Sequence, residues 1–130
     1  MIARRNILLS TAVAASIALT SMLPSVALAE GRAIAGIVFQ QDQYMKTVQM
    51  GMKTATDAAG VELLDANSDS KLEKEAQLID TYIARGVNAI AIAPLSVDGS
   101  MAAIKKARDA GITVVTWGTT VNGDLAQASV

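Results

Sequence analysis

From Gly86 to Thr120 the chain reads GVNAIAIAPLSVDGSMAAIKKARDAGITVVTWGTT, and this stretch leaves few folds open. Ala89–Ala93 is a short apolar run closed by Pro94, and Ile112–Thr116 is a second such run. Between them, Asp98–Ala110 places Met101, Ile104 and Ala107 at helical spacing, with Lys105, Lys106, Arg108 and Asp109 on the other side. Gly111 stands where a helix C-terminus wants a left-handed residue. Strand, amphipathic helix and strand form a βαβ unit, which makes the two strands parallel neighbours. Runs that do not alternate fit strands covered by helices on both faces. Ligands of such sheets sit beyond the carboxyl ends of the strands, here Pro94–Asp98 and Trp117–Thr120.

Upstream the same alternation continues. Ala33–Phe39 (AIAGIVF) reads as a buried strand, followed by the polar loop Gln40-Gln41-Asp42-Gln43. Met45, Val48, Met52, Ala55 and Ala59 then make one helical stripe, with Asp42 placed to cap its start and Gly60 to end it. Val61–Leu64 reads as a second strand. Ser70 with Glu73 has the spacing of a capping box, and Leu72, Ala76, Ile79 and Ile83 form the buried face of a second helix that stops at Gly86. Lys71, Glu73, Lys74 and Glu75 read as a solvated face. After turn residues Val121–Asp124, Leu125–Val130 begins a fifth strand that no helix covers, which predicts a chain cut short. Four strands alternating with three helices, and the start of one more strand, predict an α/β fold with a doubly wound, Rossmann-like parallel sheet.

The first residues are set apart from this pattern. Two arginines in Met1–Arg5, a charge-free apolar run over Ile7–Leu23 and small residues at Ala27 and Ala29 predict a secretory signal over residues 1–29, cleaved after Ala29, and an exported, periplasmic protein. A membrane anchor is disfavoured, because Ser10, Thr11, Ser16, Thr20 and Ser21 dilute the run and Pro24 breaks it. Cleavage leaves nine basic against twelve acidic residues over 30–130, a net charge of −3. That balance offers no footprint for nucleic acid. The absence of Cys and His removes the thiolate nucleophile, the commonest general base and the commonest ligand of soft metals, so neither enzyme nor metal site is expected.

Three loops should meet at one rim of the sheet: Gln40–Tyr44, Pro94–Asp98 and Trp117–Thr120. They carry amides, a carboxylate, hydroxyls and rings. Amide and carboxylate groups pair two ways with hydroxyls, while a ring face covers C–H surface. Such a mixture suits a small, uncharged, polyhydroxylated ligand. A phosphate would want a glycine-rich turn or a basic cluster, and QQDQ is neither.

Over Ala33–Val130 the segments AIAGIVF, YMKTVQMGMKTA, AGVELLDANSD, LIDTYIARGVNAIAIAPLSVDG and KKARDAGITVVTWGTT, in that order and spacing, resemble the N-terminal lobe of periplasmic sugar-binding proteins of ABC transporters, the ribose-binding-like group. The resemblance implies one lobe, residues 30–130, of a two-lobed carrier that closes over a monosaccharide, polyol or similar solute without cofactor or catalysis. It delivers the solute to a membrane permease, with a chemoreceptor as a further partner. The implied ligand-binding residues are Phe39, Gln40, Gln41, Asp42 and Tyr44 after the first strand, and Trp117, Gly118 and Thr119 after the fourth. Where the family often has an Asp followed by Arg, this chain has Gly118 and Thr119. A hydrogen bond to a charged group contributes about 1.5–3 kcal/mol, so this departure argues against an ordinary pentose and leaves polyols, deoxy-sugars and other small sugar-like solutes open. The rival class is a nucleotide-binding Rossmann-type enzyme domain, which shares the sheet but needs a phosphate cradle. A receiver domain would want an aspartate where Ala93-Pro94 stands, and a transcription regulator would begin with a DNA-binding domain.

Overall fold

The computed structural model describes residues 31–130; the leader expected over 1–29 lies outside them. Eight elements follow in order: β1 (Ala33–Val38), α1 (Gln43–Ala59), β2 (Glu62–Asn67), α2 (Leu72–Arg85), β3 (Ala89–Ile92), α3 (Met101–Asp109), β4 (Thr113–Thr116) and β5 (Ala128–Ser129). The five strands form one sheet in the order β2-β1-β3-β4-β5, and every neighbouring pair is parallel. This is the doubly wound arrangement, with its switch point between β1 and β3.

Side chains along a strand alternate between the two faces of a sheet. Ala35 and Ile37 of β1, Ile90 and Ile92 of β3 and Val114 of β4 point to one face. There they pack with Ile79 and Tyr82 of α2 and Ile104 and Ala107 of α3 in a single buried cluster. Each fully buried aliphatic chain of this kind stabilises the fold by about 1.5–3 kcal/mol. Gly36 points to the other face, where a Cβ would lie 3.1 Å from Met52 Cε, so α1 sits close against β1 on that side. Helices therefore cover both faces, but not evenly. On the α1 side, Ala89, Ala91 and Val115 remain partly exposed and Thr113 is exposed, which departs from strands buried on both faces.

The helix ends explain where the loops begin. Asp42 caps α1, its Oδ1 accepting the Met45 N–H at 2.8 Å, and Gly60 closes it with φ 65°. Gly86 ends α2 in the same left-handed way, φ 68°. Several local readings are corrected. On α1 only Met45 and Thr56 are buried, Val48 and Met52 are half-buried, and Ala55 and Ala59 are exposed; Thr56 can face inward because its hydroxyl is satisfied within the helix by the Met52 and Lys53 carbonyls. β2 runs on to Asn67, since its register with β1 continues to Val38↔Asn67. Ser70 does not cap α2: the N-cap is Lys71, without a side-chain bond. On α2, Glu75 is buried rather than solvated and Leu72 is 42% exposed. α3 starts at Met101, the turn over 97–100 preceding it.

Candidate functional site

β1 delivers its last carbonyls to the carboxyl rim of the sheet. Val38 O accepts the Ser68 N–H at 2.9 Å, and Phe39 O accepts both the N–H and the hydroxyl of Ser70, at 2.7 and 3.1 Å. The chain then turns out through Gln40, Gln41 and Asp42, all exposed. Gln40 Nε2 donates to Asp42 Oδ2 at 2.5 Å, while the other Asp42 oxygen holds the start of α1. One carboxylate thus anchors the helix and orients the neighbouring amide. Tyr44, 62% exposed, stands on the first turn of α1. Its ring lies 6.3 Å from that of Trp117 with the planes at 59°, within the range of favourable tilted aromatic pairs.

Trp117 follows β4 directly, and its N–H donates to Ile92 O at 3.1 Å, which keeps the backbone in line with β3. Its indole Nε1 is buried and has no hydrogen-bond partner among the described residues. Gly118 adopts φ 73° with open space where a Cβ would stand, donating its N–H to Val130 O at 3.2 Å. Thr119 N–H closes back on Trp117 O at 2.8 Å. The loop after β3 lies between these two. Pro94 is buried, Leu95 N–H is held at 2.9 Å by Oε2 of Glu75, and Asp98 accepts from Asn122 Nδ2 at 2.5 Å.

The structure therefore brings Tyr44 and Trp117 together across the rim and joins Gln40 to Asp42. It places Gln41 beside them in the same loop, and Gly118 and Thr119 next to the indole. Phe39 enters through its carbonyl and is half-buried. Asp98 is engaged with the following loop instead of the aromatic pair. Sequence reasoning missed the Asn67–Ser70 turn, whose Ser70-to-Glu73 spacing imitated a cap, and it missed Glu75, hidden in a charged run.

Gln40, Gln41, Asp42 and Tyr44 stand exposed along the rim, with Trp117 and Thr119 half-buried beside them. A cavity of about 300 Å³ lies elsewhere, between α1 and β2, lined by Lys46, Gln49, Met50, Lys53 and Asp65 and by none of the expected site residues. Burial there holds the Asp65 carboxyl above its ordinary range, with Lys53 opposing. Among the described residues no group of three or more His, Cys, Asp or Glu could hold a metal ion, and no helix is long and apolar enough to cross a membrane.

Comparison with known proteins places this arrangement among relatives. Residues 35–129 match the family described as periplasmic binding protein domain. The ABC transporter periplasmic-binding protein YphF of Escherichia coli is 31% identical over 91 residues, covering 68% of this chain but 28% of that protein. Among solved structures, an ABC transporter solute binding protein from Mycobacterium smegmatis with bound glycerol superposes with a TM-score of 0.71 at 27% identity, over 77% of this chain and 35% of the other. Another, from Clostridium phytofermentans with bound L-rhamnose, gives a TM-score of 0.70 at 25% identity, over 77% and 32%. The chain thus spans about a third of the length of the proteins it matches.

Proposed function

This chain belongs to the periplasmic binding protein domain family, and from that premise we propose that it forms the N-terminal solute-binding lobe of an ABC importer's substrate-binding component. The observation that carries the reading is the Tyr44–Trp117 pair, which bridges the loops after β1 and β4 beside the Gln40–Asp42 pair. Tilted rings offer faces to C–H surface, and a carboxylate with neighbouring amides offers acceptors and donors to hydroxyls. The solute class is a small uncharged polyol or deoxy-sugar. Gly118 and Thr119 bring no charge to the second loop, and relatives of this fold hold glycerol and L-rhamnose. The ligand-binding set is Phe39, Gln40, Gln41, Asp42, Tyr44, Trp117, Gly118 and Thr119. The work is capture and release, not turnover, in the periplasm after loss of residues 1–29. A permease is the receiving partner and a chemoreceptor a further one.

Binding sites of this kind bury about 70–90% of a ligand, whereas one lobe supplies one wall. The chain alone should therefore bind weakly or not measurably, and a protein in which it is joined to a second lobe should bind tightly. Ligand at a hundred times its Kd adds about 2.7 kcal/mol of stability. A thermal-shift series with glycerol, L-rhamnose, myo-inositol, D-ribose and ATP on the two-lobed protein is the test. A polyol or deoxy-sugar should raise Tm by several degrees, D-ribose less, and ATP not at all. A shift with ATP alone would return the chain to the nucleotide-binding class.

A further inference from the structure

Between β2 and α2 the backbone adopts a conformation that neither element requires. Asp69 and Ser70 stand consecutively at φ 52° and 55°, the only positive values outside glycine among the described residues. Side chains are held in that left-handed region at a cost, and such turns persist where surrounding bonds over-determine them. Those bonds are present. Asn67 Oδ1 accepts the Asp69 N–H at 3.0 Å, Asn67 Nδ2 donates to Asp69 Oδ1 at 2.6 Å, and Lys74 pairs with the other Asp69 oxygen. Ser70 then spends both of its donors on one acceptor, the Phe39 carbonyl, while Ser68 N–H takes the carbonyl before it.

We infer that Ser70, kept left-handed by the Asn67–Asp69 pair, is a positioning residue for the solute-binding loop, setting the Phe39 peptide and with it the direction in which Gln40–Asp42 leave the sheet. The inference rests on the solute-binding reading above. The β1–β2 register ends at Val38↔Asn67, so no ladder bond from β2 reaches Phe39 O. Ser70 takes the place of that missing rung. At its other end the loop is closed by the Asp42 cap, so the exposed residues between are tethered on both sides. A loop ordered in advance loses little further freedom on binding, which strengthens affinity without any new contact. Glycine would hold the same turn with less strain. Serine keeps the strain and adds a hydroxyl donor.

The test compares Ser70→Gly and Ser70→Ala in the isotope-labelled full chain. Ser70→Gly lifts the left-handed penalty but removes the hydroxyl and the confinement given by Cβ; Ser70→Ala removes the hydroxyl alone. Expected are a Ser70→Gly melting temperature no lower than that of the wild type and displaced or broadened amide resonances over Gln40–Tyr44, more in Gly than in Ala. The affinity for L-rhamnose or glycerol, whichever the wild type binds, should fall roughly fivefold. Gln40–Tyr44 resonances unmoved in both variants overturn the inference, whatever happens to stability. If only one variant folds, its resonances decide; if neither folds, the turn is a folding element and the positioning role is overturned. Absence of any polyol or deoxy-sugar shift in the two-lobed protein overturns the solute-binding reading by itself, and the amide resonances, which need no ligand, still decide the role of Ser70.

Discussion

Asp42 holds a helix with one oxygen and an amide with the other, so its two roles can be separated by substitution. Asparagine caps about as well as aspartate, whereas loss of the cap costs about 1 kcal/mol. Asp42→Asn should leave thermal stability near wild type and weaken solute binding; Asp42→Ala should lower both. Melting curves and calorimetry on the same samples check this, and equal affinity in Asp42→Asn would confine the residue to capping. Asp69 gives a second prediction through pH. The hydrogen bond from Lys74, then its charge, hold the Asp69 carboxyl below its ordinary value of 3.8. A carboxyl whose folded pKa is lowered contributes stability that is complete above the unfolded value and lost as pH falls through the folded one. The group is exposed, so the contribution is small. Urea unfolding of wild type and Asp69→Asn between about pH 2 and 7 should show a modest advantage for wild type at neutral pH that closes below its ordinary value.

At the scale of elements, what could be read from the sequence followed the strength of local signals. The apolar runs of β1, β3 and β4, the Asp42 cap and the glycines after α1 and α2 were all readable, because each rests on chemistry within a few residues. β2 was cut short because Asp65 and Asn67 look like loop residues, although an edge strand can turn such side chains outward. The Asn67–Ser70 turn was hidden because its partner, the Phe39 carbonyl, lies far away in sequence. Glu75 was hidden for the same reason: its acceptor oxygen serves Leu95, twenty residues on. That bond ties α2 to the loop after β3. Leaving a buried donor unsatisfied costs about 1–3 kcal/mol. Glu75→Ala should therefore destabilise the fold by about 2 kcal/mol, and Glu75→Gln, which keeps an acceptor, by less. Denaturant unfolding checks the pair, and equal losses would mean that charge or packing, not the hydrogen bond, keeps Glu75 buried.

For the whole molecule, the order β2-β1-β3-β4-β5 does most of the work. It brings the loops after β1 and β4 within aromatic contact while β3 keeps them a strand apart, so one rim carries both the Tyr44–Trp117 pair and the Gln40–Asp42 pair. That the loops after β1 and β4 meet at one rim was foreseeable in outline, since parallel sheets gather such loops at one end. The meeting of Tyr44 with Trp117 and the share taken by the β2–α2 turn depend on packing that no local pattern encodes. On the proposed reading one lobe would leave a solute open on one side, so contacts made by the rim itself are best read where binding is weak. The central claim is that a polyol or deoxy-sugar is held at this rim. The most direct measurement is an amide and indole resonance map of the isotope-labelled chain titrated with millimolar L-rhamnose and glycerol. Shifts concentrated in Phe39–Tyr44 and Trp117–Thr119, with the Trp117 indole N–H among them, are the predicted result. Shifts gathered around Lys46, Lys53 and Asp65 instead would contradict it.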